Sequence, residues 1–312
     1  MTTCREFTFA SSDGQTLIHA AEWLPEGEVL GIVQIAHGVS EHMLRYAPFA
    51  EFLTGYGFAV LGNDHLGHGK SVAPGAPALY FGEPEGWRHV VDDMHTLRDL
   101  SVQRHPNVPL FLLGHSMGSF LARTYLIRHP NAVTGAILMG TGYTDGAALL
   151  AGRIAVKAAG EKFGFTGVND TINSMVFGAY SKRFEPCRTD HDWLSSLPES
   201  VDAFLDDPLC GGAPTVALVR DLLGGIAFIQ RDSNLALMNK QTPSLFLSGA
   251  EDPVGDMGAG VLKAYGSFIR AGVRDAELKL YPGLRHELLN ERPAERARVY
   301  ADILAWLRRR MS

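Results

Sequence analysis

The chain has 312 residues, 46% of them hydrophobic and 20% charged, with a formal net charge of −6. That is the composition of an ordinary globular protein, long enough for one α/β core with an insertion. The acidic balance argues against a nucleic-acid partner and against electrostatic attraction to an anionic lipid surface.

In chain order, the stretch Met1 to Glu6 has no basic-then-apolar leader pattern, and no uncharged run is apolar enough to span a bilayer. Both point to a cytoplasmic protein that touches membranes at most peripherally, through an inserted cap. Arg5 to Ala10 and Gln15 to Trp23 flank Asp13-Gly14, a hairpin signal. Next come an apolar strand over Gly31 to Ala36, a helix from about Tyr46 to Tyr56 and a short strand over Phe58 to Leu61. Trp87 to His105 has the period of a long amphipathic helix, followed by a strand over Leu110 to Leu113, a helix up to His129 and a strand over Ala136 to Met139. Strands alternating with helices predict an α/β fold, with a mostly parallel sheet covered on both faces.

Between Thr141 and Gln241 the alternation stops. The segments Ala147 to Ala159, Ile172 to Tyr180 and Val216 to Ile229 read instead as glycine-punctuated apolar helices. Strand 244–248, a helix from about Met257 to Ala271, strand 277–281 and a last helix from about Pro293 to Arg309 then resume the pattern. Arg308-Arg309-Arg310 is a helix-end charge cluster of the kind the dipole favours. The expected organisation is a core of residues 1–140 and 241–312, with a helical cap of residues 141–240 inserted after the sixth strand.

Chemistry is signalled by Gly114-His115-Ser116-Met117-Gly118, which lies directly between an apolar strand and a helix. A serine at that sharp turn is held in a strained conformation with small residues two positions either side, and its hydroxyl is lifted above the sheet edge. As a nucleophile it needs a histidine base, and the base needs a carboxylate to hold its tautomer. Three histidines follow Ser116. His129 ends the helix that Ser116 opens, and His191 sits in the charged segment Arg188 to Asp192, which reads as solvated. His286 follows a strand and a Pro282-Gly283 turn, where α/β folds place chemistry, and is the expected base. Asp252, held by the proline after it, is the expected acid; Glu251 beside it and Asp145 are the alternatives. The oxyanion donors are expected to be the backbone amides of Met117 and, after the strand at 31–36 and Gly38, of Val39. His37, Asp64 and His65 precede the nucleophile in glycine-rich loops and read as structural hydrogen-bonding groups.

The blocks His37-Gly38-Val39-Ser40-Glu41-His42 with Arg45-Tyr46, Asn63 to Ser71, Gly114 to Gly118, Gly86 to Asp93, Ser248 to Asp252 and Tyr281 to Glu287 resemble the monoacylglycerol lipase and lysophospholipase branch of the α/β-hydrolases, also grouped as serine aminopeptidase S33-like. The resemblance covers residues 28–145 and 240–310. It implies the α/β-hydrolase fold, a Ser116, Asp252, His286 triad, oxyanion donors at Val39 and Met117, and hydrolysis of lipid-like carboxylic esters, monoacylglycerol foremost. Val39 departs from the smaller residue of several relatives, which would narrow the acyl pocket.

The cap carries more apolar residues than its own core requires. Leu149, Ile154, Phe177, Leu222 and Ile226 are expected to line a substrate tunnel. Cys4, Cys187 and Cys210 form no metal spacing and read as free thiols. The scheme needs no cofactor and no metal. Rival readings are a lysophospholipase or general carboxylesterase, an aminopeptidase using Glu199, Asp202, Asp206 and Asp207 to hold a substrate amine, an acyltransferase, and a non-catalytic binding protein. Oligomeric state leaves no trace in the sequence.

Overall fold

The computed structural model describes residues 4–311; Met1 to Thr3, part of the segment read for a leader, and Ser312 lie outside the described residues. Eight strands form one sheet: β1 (Cys4–Ala10), β2 (Leu17–Trp23), β3 (Gly31–Ala36), β4 (Phe58–Asn63), β5 (Leu110–His115), β6 (Gly135–Met139), β7 (Ser244–Gly249) and β8 (Ala276–Tyr281). Their spatial order is β1-β2-β4-β3-β5-β6-β7-β8, and every pairing from β4 through β8 is parallel while β2 runs against both neighbours. This is the α/β-hydrolase architecture.

Period-two alternation sorts the strand residues onto two layers. Ile32, Leu110, Leu112, Ala136, Leu138 and Phe246 face one core, with α2 (Gly86–Arg104), α3 (Met117–Arg128) and α9 (Ala259–Arg270) packed on it. Val33, Ile35, Phe111, Leu113, Ile137, Met139, Leu245 and Leu247 face the other, covered by α1 (Ala47–Thr54) and α10 (Pro293–Arg308). Residues 117–127 of α3 are all buried, so this helix is covered all round rather than on one stripe.

Some boundaries differ from the periodicity reading. The helix expected from Tyr46 begins as a 3-10 turn, Met43–Tyr46, and α1 starts behind it with Pro48 in its first turn. Strand β4 runs on to Asn63 and β5 to His115, because their last residues are buried despite being polar or glycine. Between β6 and β7 the chain forms α4 (Gly146–Phe163), α5 (Asp170–Phe177), α6 (Pro198–Asp206), α7 (Val216–Ile229) and α8 (Asp232–Leu235). The first, second and fourth match the apolar segments expected there. Asn169 caps α5 through its side chain to the Ile172 amide, and Thr215 caps α7 to the Leu218 amide. Among the described residues no helix is long and apolar enough to cross a membrane.

The register brings the ends of five strands, β3, β5, β6, β7 and β8, level. Ala36 pairs with Gly114, His115 with Met139, Met139 with Leu247 and Gly249 with Tyr281. The loops after β3, β5, β7 and β8 therefore leave the sheet along one edge, its carboxyl end.

Candidate active site

Ser116 leaves β5 and opens α3 with φ 53° and ψ −122°, a sparsely populated conformation that costs a non-glycine residue roughly 1–3 kcal/mol. The surroundings hold it there. Its amide donates to the Met139 carbonyl at 3.0 Å, and its carbonyl accepts from the Ser119 amide at 2.8 Å and the Ser119 hydroxyl at 2.6 Å. A Cβ on Gly118 would lie 2.0 Å from the Ala36 carbonyl oxygen, and one on Gly114 would lie 2.3 Å from that of Gly118. Only glycine lets β3, β5 and α3 approach this closely.

Asp252 and His286, on the loops after β7 and β8, are buried at 0% and 1% exposure. His286 Nδ1 donates to Asp252 Oδ1 at 2.9 Å, so the proton is held on Nδ1 and Nε2 is left as the basic nitrogen. The Val254 amide donates to the same carboxylate at 2.9 Å and the Ser248 hydroxyl at 3.3 Å, fixing its orientation. The alternative acids lie elsewhere. Asp145 precedes α4, pairs with Lys263 at 2.8 Å and keeps 72% of its side chain exposed, and Glu251 is exposed.

On the opposite side of Ser116, the Gly38 amide donates to Glu41 Oε1 at 2.6 Å, which sets the path of the loop after β3. Val39 and Met117 line a cavity together with Ser116, and among the described residues neither of their amides has an acceptor. Glu41 is the centre of a buried cluster. It also accepts from Tyr46 at 2.9 Å and lies 3.2 Å from His115 Nδ1, while Arg45 bridges it at 2.6 Å to Glu287, which it grips with two contacts of 2.8 Å. Burial opposes ionisation of Glu41, but Arg45 and His115 outweigh it and hold its carboxyl well below the usual range. Burial likewise pulls His115 down, and its contacts with Glu41 reverse that and raise it. One ionic cluster thus joins the loop after β3, the residue before Ser116 and the residue after His286.

His37, Asp64 and His65 brace the same edge. His37 accepts from the His65 amide through Nε2 at 2.9 Å and donates from Nδ1 to the Gly38 carbonyl at 2.7 Å, and burial lowers its affinity for a proton. Asp64 accepts from the amides of Met43 and Lys70 and from His19 Nδ1, at 2.8–2.9 Å. Burial works against that carboxylate, but these bonds win and bring it down to about 2.

Two cavities meet at Ser116. One, about 540 Å³, runs under α4, α5 and α7 and is lined by Leu149, Phe177, Leu222, Leu223, Ile226 and Met175 among others. The other, about 470 Å³, is the more polar of the two: Lys182, Glu185, Asp190, His191, Ser181 and Asn173 stand on its walls with Leu194, Phe204 and Pro214, beside His286. Val39, Phe177 and Trp193 border both. Of the residues expected to line a tunnel, Leu149, Phe177, Leu222 and Ile226 lie on the walls of the first cavity. Ile154 does not: five residues beyond Leu149 it lies on the outer face of α4, 61% exposed, whereas Gly152 and Ala155 share the inward face. His191 is likewise not solvated but half-buried against Phe204, facing the polar cavity. Glu199, Asp202, Asp206 and Asp207 line neither cavity.

Trp193 packs against His286, a placement that sequence reasoning missed. Its ring lies 5.1 Å from that of His286, and its carbonyl accepts from the His286 amide at 3.4 Å. Its one signal is a tryptophan stranded in a charged segment, Thr189 to Ser195. Among the described residues, His42, Asp207 and Cys210 are the only group whose side chains converge as metal ligands, and His42 Nε2 is already 2.8 Å from Asp207 Oδ2. The three cysteines are free.

The same arrangement belongs to a known group of proteins. The Hydrolase_4 family model, described as serine aminopeptidase, S33, matches residues 27–293. The chain belongs to that family. It is 29% identical to the monoacylglycerol lipase of Mycolicibacterium smegmatis, over 98% of this chain and 97% of that one. It is also 29% identical to the human monoglyceride lipase, over 96% of this chain and 89% of that one. A highly thermostable carboxyl esterase from Bacillus coagulans, solved in complex with glycerol, superposes with a TM-score of 0.92 at 28% identity, covering all of both chains. These relatives put the chain in the monoacylglycerol lipase-like branch of the α/β-hydrolases.

Proposed function

We propose that the protein is a serine hydrolase of carboxylic esters, with monoacylglycerol as its substrate and an acyl-enzyme on Ser116 as its intermediate. The observation that carries this reading is the meeting of an apolar cavity and a more polar one at one strained serine. The acyl chain occupies the apolar side and the glycerol the polar side, which puts the ester carbonyl beside Ser116. In this reading residues 141–240 form a cap that supplies both cavities with walls, while residues 1–140 and 241–312 form the core.

His286 Nε2 takes the Ser116 proton as Oγ attacks the carbonyl, and Asp252 stabilises the imidazolium that results. The Val39 and Met117 amides receive the oxyanion, each worth roughly 3 kcal/mol in the transition state. Glycerol leaves with the proton from His286. Water enters from the polar side, gives a proton to His286 and hydrolyses the acyl-enzyme. Exposed Phe163, Val168 and Met175 on the cap supply a peripheral contact with lipid surfaces, and three free thiols suit a reducing, cytoplasmic setting.

The test is a matched set of substrates: 1-monoacylglycerols of increasing chain length, lysophosphatidylcholine, p-nitrophenyl esters and an aminoacyl-anilide. Monoacylglycerols are expected to have the highest kcat/KM. Preference for the anilide would make the chain an aminopeptidase, and turnover of short activated esters alone would make it a general carboxylesterase.

A further inference from the structure

A third depression, about 620 Å³, lies outside the two that meet at Ser116 and shares none of their lining residues. It sits where α4 and α7 cross the ends of α2 and α3. Its walls are apolar: Trp87, Leu150, Ile154 and Phe228. Its charge is lopsided. Arg88, Arg128, Arg153, Lys157 and Arg220 line it against only Glu85 and Asp221. Most of these cations have partners: Arg220 holds Glu83 and Asp221, Arg88 holds Glu85, Arg128 reaches Asp92 at 3.5 Å, and Lys157 reaches Glu161 at 3.7 Å. Arg153 has no acidic partner among the described residues.

The glycines of α7 shape the floor. Gly225 is required by packing, since a Cβ there would lie 2.3 Å from the Trp87 ring. Gly224 is not, because a Cβ there would meet nothing within 4 Å. A glycine inside a helix costs about 1 kcal/mol relative to alanine, and here packing gives no return for it; what it leaves is depth in the cleft. Trp87 is held upright by its indole N–H, which donates to the Thr124 hydroxyl at 3.1 Å.

An apolar trough with one guanidinium at its rim that has no acidic partner among the described residues fits a single-chain anionic amphiphile, with its tail on Trp87, Ile154 and Phe228 and its head at Arg153. We infer that this cleft is a second, non-catalytic binding site for a fatty-acid anion. Choosing that occupant rests on the proposed function, because ester hydrolysis releases such an anion on the other face of the same two helices: Leu149 and Gly152 of α4 and Leu222 and Ile226 of α7 line the acyl cavity, while Leu150, Ile154, Gly224 and Phe228 line the cleft.

The experiment titrates the full chain with laurate below its micelle concentration, after Ser116 has been blocked by an alkyl phosphonate that fills the acyl cavity. Calorimetry is expected to find one laurate per blocked chain. Gly224→Leu, which fills the trough while favouring the helix, should abolish that binding, and Arg153→Glu should weaken it at least about tenfold, as should replacing laurate by dodecanol. Both variants should keep wild-type melting temperatures and turnover, so a lost site is not a lost fold. The inference is overturned if blocked protein binds no laurate, if Gly224→Leu binds it as well as wild type, if dodecanol binds equally, or if only vesicles containing anionic phospholipid bind. Failure of the phosphonate to label Ser116 would instead overturn the proposed function; the loss or retention of laurate in Gly224→Leu still reads the cleft.

Discussion

Along the carboxyl edge of the sheet, Asp252 and His286 are buried at 0% and 1%, and the Asp252 carboxylate is held by His286, by the Val254 amide of its own loop and by the Ser248 hydroxyl of β7. Across the helices above that edge, Leu150, Ile154 and Phe163 are 59–63% exposed, and apolar residues face two different hollows from the two sides of α4. The edge is rigid and over-determined: Ser116 keeps an unfavourable φ because neighbouring carbonyls, amides and glycines leave it no alternative. The helices above are determined only as far as an amphipathic pattern determines anything. On the proposed function the edge carries the chemistry and the helices the choice of acyl chain, so the two should respond differently to substitution.

The largest effect is expected at the edge. Asp252→Asn keeps the shape but lets His286 take the wrong tautomer, and kcat should fall about 10⁴-fold with KM little changed; a fall under about tenfold would remove Asp252 from the site. Next is the buried cluster. Arg45→Met leaves the Glu41 and Glu287 carboxylates facing each other without their cation, and denaturant unfolding should register a loss of about 3–5 kcal/mol. An unchanged midpoint would mean that water, not Arg45, satisfies the pair.

The pH dependence of stability tests the loop that Asp64 braces. Its carboxyl sits at about 2 in the folded chain against an ordinary 3.8. It therefore contributes stability that is fully present above about pH 4 and disappears as pH falls towards 2, on the order of 2 kcal/mol. Asp64→Asn should flatten that part of the curve; an undiminished slope would place the acid sensitivity in other carboxylates. The smallest effect should come from the cap. Gly152→Leu projects into the acyl cavity and should lower kcat/KM for long chains about tenfold while sparing acetates. Ile154→Ser, on the outer face of the same helix, should leave the chain-length profile within about twofold. Equal responses from the two would erase the distinction between inner and outer faces.

The same contrast explains what is legible in the sequence. Short, near-continuous apolar runs such as Gly31 to Ala36 and Ser244 to Gly249 declare strands buried on both faces, and the order serine, acid, histidine places three chemical groups at three strand ends. The cavity-lining residues are harder to read. An excess of apolar residues groups Ile154 with Leu149, but five residues apart they lie on different faces of α4, and only Leu149 lines the cavity beside Ser116. Trp193 and His191 lie in an irregular, charged segment between α5 and α6 with no period to exploit; the segment is tied to the loop after β8 by the Trp193 and Leu194 carbonyls, which accept from the His286 and Glu287 amides. The ionic cluster of Glu41, Arg45, His115 and Glu287 joins positions up to 246 apart in the chain, which no local pattern announces.

The central claim is an acyl group carried on Ser116. Rapid acid quench during turnover of a long-chain p-nitrophenyl ester, followed by peptide mapping by mass spectrometry, measures it directly. The expected result is an added acyl mass on the peptide containing Gly114 to Gly118, absent in Ser116→Ala. An adduct on Cys187, the free thiol that also faces the polar cavity, or turnover with no adduct and a persistent Ser116→Ala activity, would contradict it.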